Sequence, residues 1–191
     1  MAEGQTAGQL DIEDMNSETT LESIRPVQRN RVMDLVDQAG IDVSAWRVKK
    51  GGGAVKNPRA NPQFCYEWSF GGDGEPMALC VWHKDIYIDP AQDQIYCDDN
   101  LLDFATKLEQ RGNDPTASGK VKSRARSQAQ RARKFDDQIK QAFVMERPIR
   151  VIVLSGKNGD KTNAGDNTAT VKYRHLDASP WHVQSYSVQS G

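Results

Sequence analysis

Cysteine, histidine and long apolar runs are scarce in this chain, and each shortage excludes a class of site. The three cysteines are odd in number and form no CxxC pair, which argues against a disulfide framework and a zinc knuckle. None of the three histidines has a spacing typical of zinc ligands. No apolar run approaches the roughly 18 residues that a membrane span needs. We therefore expect no metal, no cofactor, no membrane contact and a cytoplasmic location.

Catalytic motifs are equally scarce. The sequence contains neither a Walker A motif nor a GxGxxG fingerprint, and Ser155 in "LSGK" lacks a nucleophile elbow. No strand carries the acid, spacer and lysine of a PD-(D/E)xK nuclease. We assign no catalytic residue. The enzyme hypothesis that stays open is a degenerate metal-dependent nuclease using Asp98, Asp99 or Glu67.

Charge is strongly segregated along the 191 residues. Residues 1–23 carry six acids and no Lys or Arg, and we predict a disordered acidic tail there, followed by a single domain over 24–191. Residues 24–59 are basic and residues 85–114 are acidic. Residues 120–134 hold seven basic side chains and no acid. That run either lies along a nucleic-acid backbone or is a solvated helix face.

Periodicity predicts the fold class. Pro26 and Gly40 bracket an N-terminal helix, and "FCYEWSF" and "PMALCVWH" form a hairpin. Short strands in "DIYIDPAQDQIYC" precede a helix in "DNLLDFATKLEQRG" and a long basic helix in "KVKSRARSQAQRARKFDDQIKQAF". "IRVIVLSG" reads as a buried strand, and "TATVKYRHL" and "WHVQSYSV" complete the sheet. We predict an α+β domain with a mainly antiparallel, curved sheet.

Two local features have competing interpretations. "KKGGGAVKNPR" is either a phosphate cradle, because glycines let backbone amides approach an anion, or a flexible solvated loop. The aromatic residues Phe64, Tyr66, Trp68 and Phe70 alternate onto one strand face, which is more typical of a core than of a base-stacking platform. Trp46, beside Arg47 and Lys49, is the better candidate for a surface stacking contact.

Three blocks, "IRPVQRNRVMDLVDQAGIDVSAW", "NPQFCYEWSF" and "SPWHVQSY", together resemble the N-terminal region of bacterial HNH-type, modification-dependent (5-methylcytosine-specific) restriction endonucleases. The resemblance runs over residues 24–188 in the same order. It implies a DNA-recognition module of a restriction system, standing alone or joined to a nuclease domain. The HNH segment expected after this region is absent, so no catalytic residue is carried across.

We therefore expect a module that binds DNA, including modified DNA, without nuclease chemistry of its own. The alternative is a protein-interaction or regulatory module acting through its charge-segregated surfaces. Trp46 is the predicted stacking residue. The predicted phosphate contacts are Arg25, Arg29, Arg31, Arg47, Lys49, Lys50, Lys56, Arg59, Lys120, Lys122, Arg124, Arg126, Arg131, Arg133 and Lys134.

Overall fold

The computed structural model describes residues 21–89, 91, 94–157 and 169–189. The predicted acidic tail lies outside the described residues except for its last three, which are helical. Leu21 packs against one of the hydrophobic cores, and its carbonyl oxygen lies 3.0 Å from Nε2 of His83. The described end of this segment is therefore part of the fold.

Within the described residues, six strands form two sheets. They are β1 (Ser69–Gly71), β2 (Met77–Trp82), β3 (Tyr87–Asp89), β4 (Gln94–Tyr96), β5 (Arg150–Lys157) and β6 (Thr170–Leu176). The larger sheet has the order β1-β2-β5-β6, and β3 pairs with β4 in the smaller one. Both outer pairs of the larger sheet are antiparallel, whereas β2 and β5 are parallel. The α+β class is confirmed, and the larger sheet is mixed.

Three α-helices lie within the described residues after position 30: α1 (Val32–Gln38), α2 (Leu101–Asn113) and α3 (Gly119–Val144). The side chains of Asn100 and Ser118 accept backbone N–H bonds at the starts of α2 and α3. Ala125 and Ala129 of α3 are buried against Leu108 of α2. The predicted long helix is confirmed, and its small buried residues let α2 approach closely.

The central strand β5 separates two hydrophobic cores. Ile152 and Leu154 face a cluster that includes α1, whereas Val151 and Val153 face a cluster that includes Phe135 of α3. Successive side chains of a strand point to opposite faces, so a strand covered on both sides must be apolar throughout. This confirms the prediction for "IRVIVLSG". No helix in the described part of the chain is long and apolar enough to cross a bilayer.

The N-terminal helix starts later than predicted. Helix α1 begins at Val32, and the segment containing Pro26 is not helical. The backbone N–H of Arg174 on β6 donates to the Gln28 carbonyl at 3.0 Å, and Asn30 Nδ2 donates to the Arg174 carbonyl at 3.0 Å. These bonds hold the segment alongside the edge of β6, so it cannot enter the helix.

The first strand is shorter than predicted, and its aromatic residues separate. The Asn61 carbonyl accepts bonds from the N–H groups of Phe64 and Cys65, which turns the chain before β1. Phe70 then joins the α1 cluster, whereas Trp68 joins the cluster on the other side of the sheet. The prediction of a single aromatic face is wrong.

The C-terminal block "WHVQSYSV" is not a strand of the sheet, contrary to prediction. It contributes a single bridge, between Trp181 and Ile149. Buried Asp177 accepts a bond from Trp181 Nε1 at 2.7 Å, and Tyr186 OH donates to Asp136 Oδ2 on α3 at 3.1 Å. These contacts tie the C-terminal segment to β5 and α3, so this block has a structural role.

The Asp136 carboxyl gives a pH-dependent prediction. Burial raises the pKa of Asp136, although the hydrogen bond from Tyr186 lowers it. The stability from such a group is fully present below the unfolded pKa, about 3.9, and is lost as the pH rises through the folded pKa. We expect Asp136→Asn to lack this loss. The unfolding free energy of Asp136→Asn minus that of wild type should therefore increase as the pH rises from about 4 to 7.

Chemical denaturation at each pH measures this difference. Asp137→Asn, at the exposed neighbouring position on α3, is the control and should not reproduce the shift. Parallel profiles of wild type and Asp136→Asn would contradict the prediction.

Candidate nucleic-acid interface

Trp46 is a core residue, and the prediction that it is a surface stacking contact is wrong. Only 2% of its surface is exposed. Its ring stacks on Phe64 with a centroid distance of 5.1 Å and on Phe70 at 6.0 Å. Because both neighbours belong to the chain itself, the Trp46 ring is not available to a nucleic-acid base.

The middle of helix α3 pairs its cations with acids elsewhere in the chain. Arg131 Nε lies 3.2 Å from Glu67 Oε1, and Lys134 Nζ lies 3.9 Å from Glu67 Oε2. Arg133 binds both carboxylate oxygens of Glu109 on α2 at 3.0 Å. These three predicted phosphate contacts are already partly neutralised, so they are weaker candidates than their sequence suggested.

Three cations in the first turns of α3, Lys120, Lys122 and Arg126, pair with no acid among the described residues. Lys120 is exposed and pairs with no acid in the described part of the chain. Lys122 Nζ donates to the Pro115 carbonyl, and Arg126 donates to Asn113 Oδ1, each at 3.4 Å. Arg124 is partly buried. This end of the helix keeps charge at the surface.

The glycine-rich stretch forms a closed turn. Lys49 N–H donates to the Gly53 carbonyl at 3.0 Å, and Gly52 N–H donates back to the Lys49 carbonyl at 2.9 Å. Gly52 and Gly53 have φ values of 87° and 81°, a conformation that favours glycine. Asn61 Nδ2 holds the base of the turn by donating to the Trp46 carbonyl at 2.9 Å.

The glycine turn, residues 47–56, carries its charge outward. Arg47, Lys49, Lys50 and Lys56 are all exposed, and none pairs with an acid among the described residues. The turn is followed by a three-residue 3-10 helix, Pro58–Ala60, and not by a long helix whose N-terminus could bind an anion. What the glycine turn offers a ligand is therefore its set of exposed cations.

Two of the predicted N-terminal contacts are paired. Arg25 Nε lies 2.7 Å from Glu22 Oε2, and Arg59 Nε lies 2.8 Å from Asp34 Oδ1. Arg29 and Arg31 are exposed and have no acidic partner within the described ranges.

Sequence reasoning missed two cations, Lys172 and Arg174 on β6. The bridge between Arg29 and Arg174 and the bond from Arg174 Nη1 to the Asn30 carbonyl, 3.3 Å, place β6 directly beside residues 28–31. We name Arg29, Arg31, Lys172 and Arg174 the edge cluster. Its charges come from positions about 140 residues apart in the chain, so no local run of basic residues reveals it.

A β-bulge sets the position of Lys172. On β5, Ser155 and Gly156 are adjacent, but their partners on β6 are Tyr173 and Val171, which leaves Lys172 as the extra residue. A Cβ atom at Gly156 would lie 2.8 Å from the Lys172 nitrogen, so glycine is required opposite the bulge. Lys172 Nζ lies 4.8 Å from the centre of the Tyr173 ring.

Two pKa shifts arise at the edge cluster. The Lys172 ammonium group, assisted by Arg29, holds the pKa of Tyr173 below its usual value. Burial lowers the pKa of Arg174, and Arg31 lowers it further. The first shift is that of a phenol beside a cation, and the second is mainly that of a partly buried cation with another cation nearby. The nearby carboxylate of Asp34, one turn into α1 from Arg31, is already bound by Arg59.

The chain has no match among family models, curated proteins or solved structures. The likeness to modification-dependent restriction proteins therefore stays a prediction, and the functional argument depends on the described residues.

The described cysteines near the edge cluster are not activated as nucleophiles. Burial raises the pKa of the Cys80 thiol to about 12 and also raises that of Cys65, although Arg174 opposes both shifts. Thiols with raised pKa values are poor nucleophiles at neutral pH. The described residues contain no group of three His, Cys, Asp or Glu side chains that could hold a metal ion. Glu67, one candidate for a degenerate nuclease, binds Arg131 and Lys134.

Proposed function

We propose that this protein is a DNA-binding module whose principal contact surface combines the edge cluster with the glycine turn. The observation that carries the proposal is the set of exposed or half-exposed cations in three segments, residues 29–31, 47–56 and 172–174, of which the first and last lie side by side. Lys and Arg that neutralise phosphates supply most of the affinity of sequence-independent binding to DNA. A surface whose cations are already paired contributes much less.

The first turns of α3 supply a second contact in this proposal. Lys120, Lys122 and Arg126 make that end of the helix basic. The paired cations of Arg131, Arg133 and Lys134 serve mainly to hold α3 to its neighbours.

Recognition of modified DNA is part of the proposal, supported by the resemblance to restriction proteins. A reader of single bases needs an exposed ring on which a base can stack. Tyr66 takes the place that Trp46 cannot fill, because 62% of its surface is exposed. The neighbouring Cys65 lies close enough to Arg174 for that charge to act on its thiol. In this role the protein acts in the cytoplasm within a restriction system and leaves cleavage to a nuclease partner or fused domain.

Fluorescence anisotropy with matched unmodified and cytosine-methylated duplexes tests the proposal. We expect binding to both, with log K falling linearly as log salt rises from about 50 to 200 mM. Tighter binding to the methylated duplex at every salt concentration supports recognition of the modification. No binding at the lowest salt would contradict DNA binding and favour the protein-interaction alternative, for which the exposed side chains of Phe143, Val144 and Met145 at the end of α3 offer a surface.

A further inference from the structure

We propose that Arg174, with Arg29 and Arg31 beside it in the edge cluster, forms a binding site for one phosphate group. The inference deepens the proposed function, on which the identity of the natural ligand, a phosphate of the DNA backbone, depends. It assigns a ligand contact to Arg174, which no basic run in the sequence indicated.

Arg174 is held in place by bonds that leave its guanidinium available. Its backbone N–H and C=O are bonded to Gln28 and Asn30, each at 3.0 Å. Of the five guanidinium N–H donors that an arginine has, the contact from Nη1 to the Asn30 carbonyl uses one. No carboxylate in the described ranges pairs with the others. A fixed, partly buried guanidinium with free donors matches the paired oxygens of a phosphate.

Arg29 and Arg31 lie on either side of Asn30, whose carbonyl accepts the bond from Arg174 Nη1, whereas Lys172 lies beside the Tyr173 ring. Arg31 directly precedes α1, and its charge acts on Arg174. Arg29 and Lys172 both act on the Tyr173 phenol. The bulge interrupts the regular alternation of β6 at Lys172, and bulges recur at sheet edges and beside binding sites.

Such a grouping of like charges costs free energy unless an anion offsets it. Two described acids lie three residues from a member of the cluster, and both are engaged: Asp34 by Arg59 at 2.8 Å, and Asp177 by Trp181 Nε1 at 2.7 Å. An added anion would therefore relieve repulsion as well as accept hydrogen bonds, and its binding should stabilise the folded state.

The same chemistry fits a backbone phosphate of DNA and a free phosphate-containing compound. Inorganic phosphate is the probe that tests whether the site exists. A DNA duplex tests whether the natural ligand is a phosphate of the DNA backbone. Thermal unfolding of the full chain is measured in sodium phosphate and in sodium chloride at matched ionic strength, because phosphate also stabilises proteins non-specifically by exclusion from their surface.

Arg31→Gln is the decisive variant, since the Arg31 side chain makes no hydrogen bond within the described residues and its loss should not disturb folding. Lys140→Gln, an exposed lysine on α3, is the matched control. We expect a saturable rise in melting temperature for wild type and Lys140→Gln. For Arg31→Gln, binding of phosphate should be about tenfold weaker, the effect of removing one charge-assisted hydrogen bond.

The outcomes separate the site from the proposed function. A parallel loss of duplex affinity in Arg31→Gln supports a DNA phosphate as the ligand. Loss of phosphate stabilisation with unchanged duplex affinity supports the site with a small phosphate compound as its ligand, and moves DNA binding to another surface. Equal phosphate stabilisation of wild type and Arg31→Gln overturns the site, even if the chain binds DNA.

Discussion

Replacing Arg29, Arg31 and Lys172 together with glutamine should weaken binding to every duplex, whatever its sequence. The side chains of these three residues make no bond to an acid in the described part of the chain, so each can displace a condensed counterion from DNA. We expect the slope of log K against log salt to decrease in magnitude by about 0.9 for each phosphate that the variant no longer neutralises. Anisotropy titrations at several salt concentrations measure that slope.

The matched control also removes three positive charges, but from helix α3, by replacing Arg131, Arg133 and Lys134 with glutamine. These side chains lie between 3.0 and 3.9 Å from carboxylate oxygens of Glu67 and Glu109. Their contribution to DNA binding is expected to be smaller, because Glu67 and Glu109 already neutralise part of their charge in the wild-type protein. If the slope of the helix variant falls as far as that of the edge variant, the interface lies on α3 and not at the sheet edge.

Local periodicity was sufficient for the long elements of this fold. The spacing of Ala125, Ala129, Ala132 and Phe135 predicts α3 because one stripe of a helix must face the core, and all four are buried. The apolar run of β5 predicts burial on both faces for the same kind of reason. Local propensity failed where the chain pairs with distant segments. The Pro26 segment is a helix start by sequence, but its bonds to β6 hold it outside the helix.

The candidate site was predicted less completely than the fold, because charge runs do not show which charges meet. Arg133 and Glu109 are 24 residues apart and Arg131 and Glu67 are 64 apart, so their pairing follows from tertiary packing. Arg174 joins Arg29 through strand contact. Lys172 owes its direction to a bulge that alternation cannot predict. The number of basic residues in a stretch of sequence is therefore an upper limit on the number that stay unpaired at the surface.

Trp46→Ala is expected to have the largest effect on stability of the substitutions considered. Truncating a buried aromatic residue costs about 3–5 kcal/mol, a large part of the roughly 5–15 kcal/mol that keeps a domain folded. The ring stacks on Phe64 and Phe70, so its removal leaves a cavity between the 3-10 helix Ser44–Arg47 and the first strand of the sheet. Chemical denaturation should show a lower midpoint with an unchanged slope.

Tyr66→Ala is the counterpart that separates packing from base stacking. With 62% of Tyr66 exposed, its truncation should change stability by less than about 0.5 kcal/mol. If the ring stacks on a base, the same change should cost about 1–3 kcal/mol of binding. Trp46→Ala, measured at a temperature where it remains folded, should keep the wild-type affinity for DNA. Wild-type stability with weakened binding in Trp46→Ala would instead restore Trp46 as the stacking residue, and would require its ring to leave the core when DNA binds.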